Sequence, residues 1–170
     1  MNKNYVFAIL LMPVAMITLL AGCSGYSSRS LFPEGVRTVC IEMFDNTTFR
    51  RDLEYELTDA LAKRIESETP YKIIHDKNRA DTVINGRIIS IGESVLTYER
   101  ATGRPLEKQA DVVAVFSWKN LRTGEFITEN KKVSAVATFS QFQEQGFDYA
   151  SKVAANRLAE RIVEQMQTAW

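Results

Sequence analysis

Apolar positions recur along the chain with two different periods. From Gly35 to Phe44 the run Gly-Val-Arg-Thr-Val-Cys-Ile-Glu-Met-Phe is β-branched and bounded by turn formers, which predicts a first strand. Asp45-Asn46-Thr47-Thr48 follows with the short polar side chains that make turns and N-caps. Leu53, Leu57, Ala60, Leu61 and Ile65 then share one helical face, with Glu54, Asp59, Lys63 and Arg64 pointing elsewhere, until Pro70 ends the helix. Tyr71 to His75 reads as a brief second strand.

Thr82 to Thr97 predicts a long strand with Ile84, Gly86 and Ile88 on one face and Asn85, Arg87 and Ile89 on the other; Gly92 is a position for a bulge or bend. Ala101–Pro105 is a loop. In the next strand Val112, Ala114, Phe116 and Trp118 fall on one face. A short connection at Asn120–Gly124 leads to its partner, Phe126 to Phe139, which packs Val133, Ala135, Ala137 and Phe139. Helical spacing returns at Ala154, Leu158, Ile162 and Met166, flanked by Val163 and Trp170. The predicted fold is α+β, a two-layer sandwich of order β-α-β-β-β-β-α. Two helices cover one face of a mixed, mostly antiparallel sheet, the first strand–helix–strand unit parallel and the later strands a meander. The opposite face must be polar or meet a partner.

Ahead of this domain the pattern is of another kind. Lys3 is the only charge in residues 1–22, and the apolar run Val6–Leu20 is shorter than the roughly 20 residues a spanning helix needs. A basic start, a short apolar stretch and small residues at its end make an export signal. Leu20-Ala21-Gly22-Cys23 resembles the lipobox of bacterial lipoproteins. That resemblance implies cleavage after Gly22 and acylation of Cys23, with Ser24, a residue other than Asp, directing the product to the outer membrane. The expected organisation is a cleaved signal at 1–22, a lipidated tether at 23–34 and one domain at 35–170. Cys40 is then left without a disulfide partner, and its apolar surroundings predict a buried, inert thiol.

Composition narrows the chemistry. Basic and acidic side chains balance at 21 each, against the basic excess of a nucleic-acid binder. One His and two Cys leave little for a zinc site or a His-based catalytic centre. No nucleophile elbow, phosphate loop or dinucleotide turn is present. His75 reads as a solvated loop residue, and Glu54, Glu56, Asp59, Glu66 and Glu68 as a charged helix surface. The sequence therefore predicts no enzyme and no cofactor. Basic side chains gather in two places, Arg100, Arg104 and Lys108 around one loop and Lys119, Arg122, Lys131 and Lys132 around the next. Cations at strand ends can hold phosphates, although ordinary surface is the plainer reading, since Glu99, Glu107, Glu125 and Glu129 are interleaved.

Cys23-Ser24-Gly25-Tyr26, the strand Val39 to Thr48, the helix Leu53 to Leu61 and the segment Ala80-Asp81-Thr82-Val83-Ile84-Asn85-Gly86-Arg87-Ile88, taken in that order, resemble the lipopolysaccharide-assembly lipoprotein (LptE) family. Ser24 between Cys23 and Gly25, and Glu42 where a proline is common, depart from its pattern. The resemblance implies a non-catalytic outer-membrane lipoprotein, lipid-anchored and facing the periplasm. It would plug a large β-barrel (LptD-like), support its assembly and help to deliver lipopolysaccharide. Arg100, Arg104, Lys108, Lys131 and Lys132 are then the candidate contacts for lipopolysaccharide phosphates. The alternative is a periplasmic lipoprotein that activates a peptidoglycan synthase or serves a secretion system.

Overall fold

The computed structural model describes residues 32, 33, 35–140, 143 and 146–167; the export signal, Cys23 and Trp170 lie outside them. The first apolar run forms two short strands, β1 (Thr38–Ile41) and β2 (Asp45–Asn46), both parallel to β4 (Thr82–Tyr98). Between them the Glu42 N–H donates to the Ile84 carbonyl, and Phe44 turns into the core with its own N–H on Thr58 Oγ1. The turn chemistry expected of Asp45–Thr48 is present, the Thr48 N–H donating to Asn46 Oδ1 (2.9 Å), but the expected cap is not, since α1 begins after Asp52. Asn46 instead ties the loop together, its amide donating to Glu54 Oε2 (2.6 Å) and to the Arg50 carbonyl (2.5 Å). Helix α1 (Leu53–Glu68) starts after Asp52, which has φ 74° and whose side chain makes no cap bond.

Leu53, Leu57, Ala60, Leu61 and Ile65 are the buried residues of α1, as the spacing predicts. Each fully buried Leu or Ile contributes roughly 1.5–3 kcal/mol relative to an exposed one. The helix stops at Thr69, ahead of Pro70. β3 (Lys72–Ile73) then pairs parallel with β1, and a 3-10 turn (Lys77–Arg79) leads into β4. β4, β5 (Pro105–Asn120) and β6 (Phe126–Phe139) form the antiparallel meander, giving the sheet order β3-β1-β4-β5-β6 with β2 on β4. This is the expected α+β sandwich with one additional short strand.

Register explains what the alternation could not. Ile88 pairs with Ala114 but Ser90 with Val113, so Ile89 is an extra residue and the faces of β4 exchange there. Ile84 and Ile88 face the helices before the bulge, Ile91 and Glu93 after it. The bulge is thus at Ile89 and not at Gly92. Gly92 stays in register with Asp111, whose carboxylate oxygens lie within 3 Å of where a side chain would begin.

On β5, Ala110, Val112, Ala114, Phe116 and Trp118 are buried; on β6, Val133, Ala135, Ala137 and Phe139. Helix α2 (Phe147–Gln165) packs on them with Ala150, Ala154, Ala155 and Ala159, small side chains that bring its backbone close. The two helices run parallel: Glu56 pairs with Lys152 (2.8 Å) and, two turns on, Arg64 with Glu160 (3.4 Å). Both start beside Ile91, eight residues along β4 from the β4–β5 turn that forms the hairpin end. They finish near Tyr71, Trp118 and the β5–β6 turn, the Trp118 end.

The uncovered face of the meander carries Asn85, Arg87, Ser90, Gln109, Asp111, Ser117, Lys132, Ser134 and Thr138 around Val113, Val115 and Val136. The free edge of β6 is blunted twice. Asn130 breaks its register at φ 45°, and Arg157 of α2 donates to the Val136 carbonyl (2.7 Å).

Candidate functional site

At the hairpin end β4 and β5 close through a pinned turn. The Glu99 N–H donates to the Arg104 carbonyl (2.8 Å), the Gly103 N–H to the Glu99 carbonyl (2.8 Å), and Gly103 takes the left-handed conformation (φ 68°) that glycine adopts freely. Arg100 and Arg104 are therefore presented in solvent on a fixed loop, with Leu96 and Tyr98 exposed on the strand leading to it.

The other predicted cations do not join them. Lys108 lies on the helix-facing side of β5, its side chain 19% exposed and its ammonium 2.7 Å from Glu93. Lys131 pairs with Phe116, eight residues along β5 from Lys108, which at about 3.3 Å per residue is roughly 26 Å away. Lys119 and Arg122 sit at the opposite end, Lys119 over the Phe126 ring and Arg122 on Asp81.

A second group of cations, not singled out by the sequence pattern, gathers where the two helices begin. A cleft of about 550 Å³ is lined by Arg50, Arg51, Asp52, Ile91 and Lys152, with Phe49 fully exposed at its rim. Arg50 stands 4.5 Å above the Phe147 ring and 2.9 Å from Asp148, Lys152 is held by Glu56, and among the described residues Arg51 has no ion pair. Tyr55 and Tyr149 are exposed in the first turns of the same helices. The start of the two helices, about 26 Å along β4 from the hairpin turn, thus combines guanidinium groups with exposed aromatic rings, which suits an amphiphile with anionic groups. The Phe49-Arg50-Arg51 run ahead of α1 was the available signal. Its meaning depended on α2 lying parallel to α1.

Elsewhere the side chains are committed to the fold. Among the described residues no three His, Cys, Asp or Glu side chains converge as a metal site. His75 is exposed, and its carbonyl accepts the Cys40 thiol (3.8 Å). Cys40 is buried with Ala80 and Val83, and that burial pushes its pKa up. Lys63 holds Asp59 and Arg64 holds Glu68. Asp81, 5% exposed, accepts the Arg37 and Thr38 N–H groups (2.9 and 3.0 Å) and so joins the starts of β1 and β4. No helix among the described residues is long and apolar enough to cross a membrane.

The model of the LptE family, described as lipopolysaccharide-assembly, matches residues 36–169. The chain belongs to the LptE family. Among the described residues the match takes in both helices and all six strands. No curated protein sequence matches the chain. Solved structures share its fold at low identity. Lipoprotein B of Nitrosomonas europaea is 12% identical with a TM-score of 0.56, covering 84% of this chain and 90% of its own. The rare lipoprotein B of Shewanella oneidensis is 15% identical at 0.52, covering 76% and 93%. A hypothetical protein of Chlamydia trachomatis is 10% identical at 0.55, covering 76% and 95%. At these identities the likeness is one of fold.

Proposed function

We propose that this member of the LptE family is a non-catalytic lipoprotein of the outer membrane, anchored through Cys23 and facing the periplasm. In this reading it partners an LptD-type β-barrel and assists lipopolysaccharide transport and outer-membrane assembly. The observation that carries the reading is the family match over residues 36–169. The sheet supports it. One face is sealed by two helices, while the other is polar around three valines and has a blunted edge, a surface suited to the wet, polar lumen of a barrel. Removal of residues 1–22 takes away one lysine, so the mature domain stays close to neutral, as suits contact with a protein and a lipid.

Lipopolysaccharide brings phosphates and acyl chains together. Arg100 and Arg104, carried on a pinned turn beside Leu96 and Tyr98, are the contacts we assign to its phosphates, with Arg51 beside Phe49 as a separate contact about 26 Å along the sheet. Lys108, Lys131 and Lys132 are assigned no more than a supporting role, Lys108 because Glu93 holds it and the other two because they stand far along the sheet. Purification of the tagged protein from solubilised outer membranes tests the function. Recovery of a lipopolysaccharide-translocon barrel supports it, and recovery of a peptidoglycan synthase in its place contradicts it.

A further inference from the structure

The chain enters the domain through an aromatic stack. Phe32, 9% exposed, meets the Tyr71 ring edge to face (centroids 5.6 Å, 73°), and Tyr71 meets Trp118 in the same way (5.8 Å, 60°). The Tyr71 hydroxyl also points to the Pro33 carbonyl at 3.4 Å, a long hydrogen bond. The stack is buried: among the described residues the Trp118 indole N–H has no partner, and burial pushes the Tyr71 pKa up to about 12. Beyond Pro33 the chain turns at Gly35 (φ 89°) and reaches β1, where Asp81 holds the Arg37 N–H.

We infer that Phe32 and Pro33 form a latch that fixes where the anchoring segment leaves the domain, at the Trp118 end and away from the Arg100–Arg104 hairpin. Lengths give the latch its consequence. Phe32 lies nine steps along the chain from Cys23, a reach of about 30 Å at most, whereas a tether free as far as Arg37 would reach nearly 50 Å. β4 alone, 17 residues at about 3.3 Å each, sets the hairpin end roughly 50 Å from the latch. With the latch closed the domain hangs from its Trp118 end within about 30 Å of the membrane, and the hairpin cations stand on average farther from it than the Trp118 end. With the latch open the domain swings on a longer leash. The inference rests on acylation of Cys23, which is part of the proposed function.

The test uses the full mature chain, with its own anchor, in lipid nanodiscs. A donor dye is attached through Thr102→Cys, Cys40 being buried, and an acceptor is carried on the lipid headgroups. The closed latch gives low energy transfer in the parent protein and at least about twofold more in Phe32→Ser. Phe32→Leu keeps an apolar side chain in the stack and gives an intermediate value; it decides alone if Phe32→Ser does not fold. Transfer unchanged in the folded variants overturns the latch. The mass of the N-terminal peptide reads acylation of Cys23 separately. If that fails, the anisotropy of a dye at Ser30→Cys, lowered by Phe32→Leu if the latch exists and unchanged if it does not, still decides.

Discussion

Arg122 Nη2 stands 2.5 Å from Asp81 Oδ1, while the other oxygen of that carboxylate takes the N–H groups of Arg37 and Thr38. One buried side chain thereby joins the starts of β1 and β4 to the β5–β6 turn, whose Leu121 N–H also donates to the Asp81 carbonyl. Asp81→Ala leaves two backbone donors without their acceptor and should cost about 2–3 kcal/mol, measured by urea unfolding.

The same carboxylate sets a pH dependence. The bonds from Arg37 and Thr38, with Arg122 alongside, hold its pKa below the ordinary aspartate value despite burial. A lowered native pKa means that the contribution is complete well above the unfolded value of about 3.9 and is lost as pH falls through that value toward the native one. The parent protein should lose more stability between about pH 5 and pH 2 than Asp81→Asn does. Parallel stability curves for the two proteins would refute this.

Gly86 lies where Phe44 crosses β4. A side chain there would begin 2.7 Å from the Val115 carbonyl and closer still to the Phe44 ring. Gly86→Ala should destabilise by about 1–3 kcal/mol, the usual range for overpacking. Adding Phe44→Leu should recover part of that loss, a coupling read from the thermal midpoints of the four proteins.

Lipopolysaccharide binding should discriminate between the two basic regions. Arg100→Glu with Arg104→Glu is expected to weaken binding by about tenfold, near 1.4 kcal/mol, and Arg51→Glu to weaken it further. Lys131→Glu with Lys132→Glu should change it by less than about twofold. Equal losses from both pairs, measured with immobilised lipopolysaccharide, would remove the assignment to the hairpin end.

Cys23→Ser should abolish acylation of the N-terminus, and wherever the signal is still removed the protein should lose its own hold on lipid. Fractionation with mass spectrometry reads both outcomes. An acylated N-terminus in Cys23→Ser, or an unchanged affinity of its signal-free form for lipid vesicles, would exclude Cys23 as the anchor.

Much of the fold could be read from periodicity, because its helices and strands each bury one face. Leu53 to Ile65 and Val112 to Trp118 announce themselves for that reason. Elements set by distant partners could not be read. β2 exists because Arg87 and Ile88 receive it, and the Ile89 bulge is a slip against Val113 and Ala114 that leaves no mark on composition. The site was partly legible. Arg100 and Arg104 are neighbours on one turn, whereas Arg50 and Lys152 meet only because the two helices run parallel. Asp81 belonged to the family-like segment, but its role as a joint depends on backbone N–H groups that no sequence displays.

The central claim is that the uncovered sheet face seats against a lipopolysaccharide-translocon barrel, and in-cell photocrosslinking tests it most directly. A photoreactive residue at Val113 or Val136, both on that face, should give a crosslink to an LptD-type barrel, while one at the exposed helix residue Glu66 should not. Crosslinks from Val113 and Val136 to a peptidoglycan synthase, or to no barrel at all, would contradict the account.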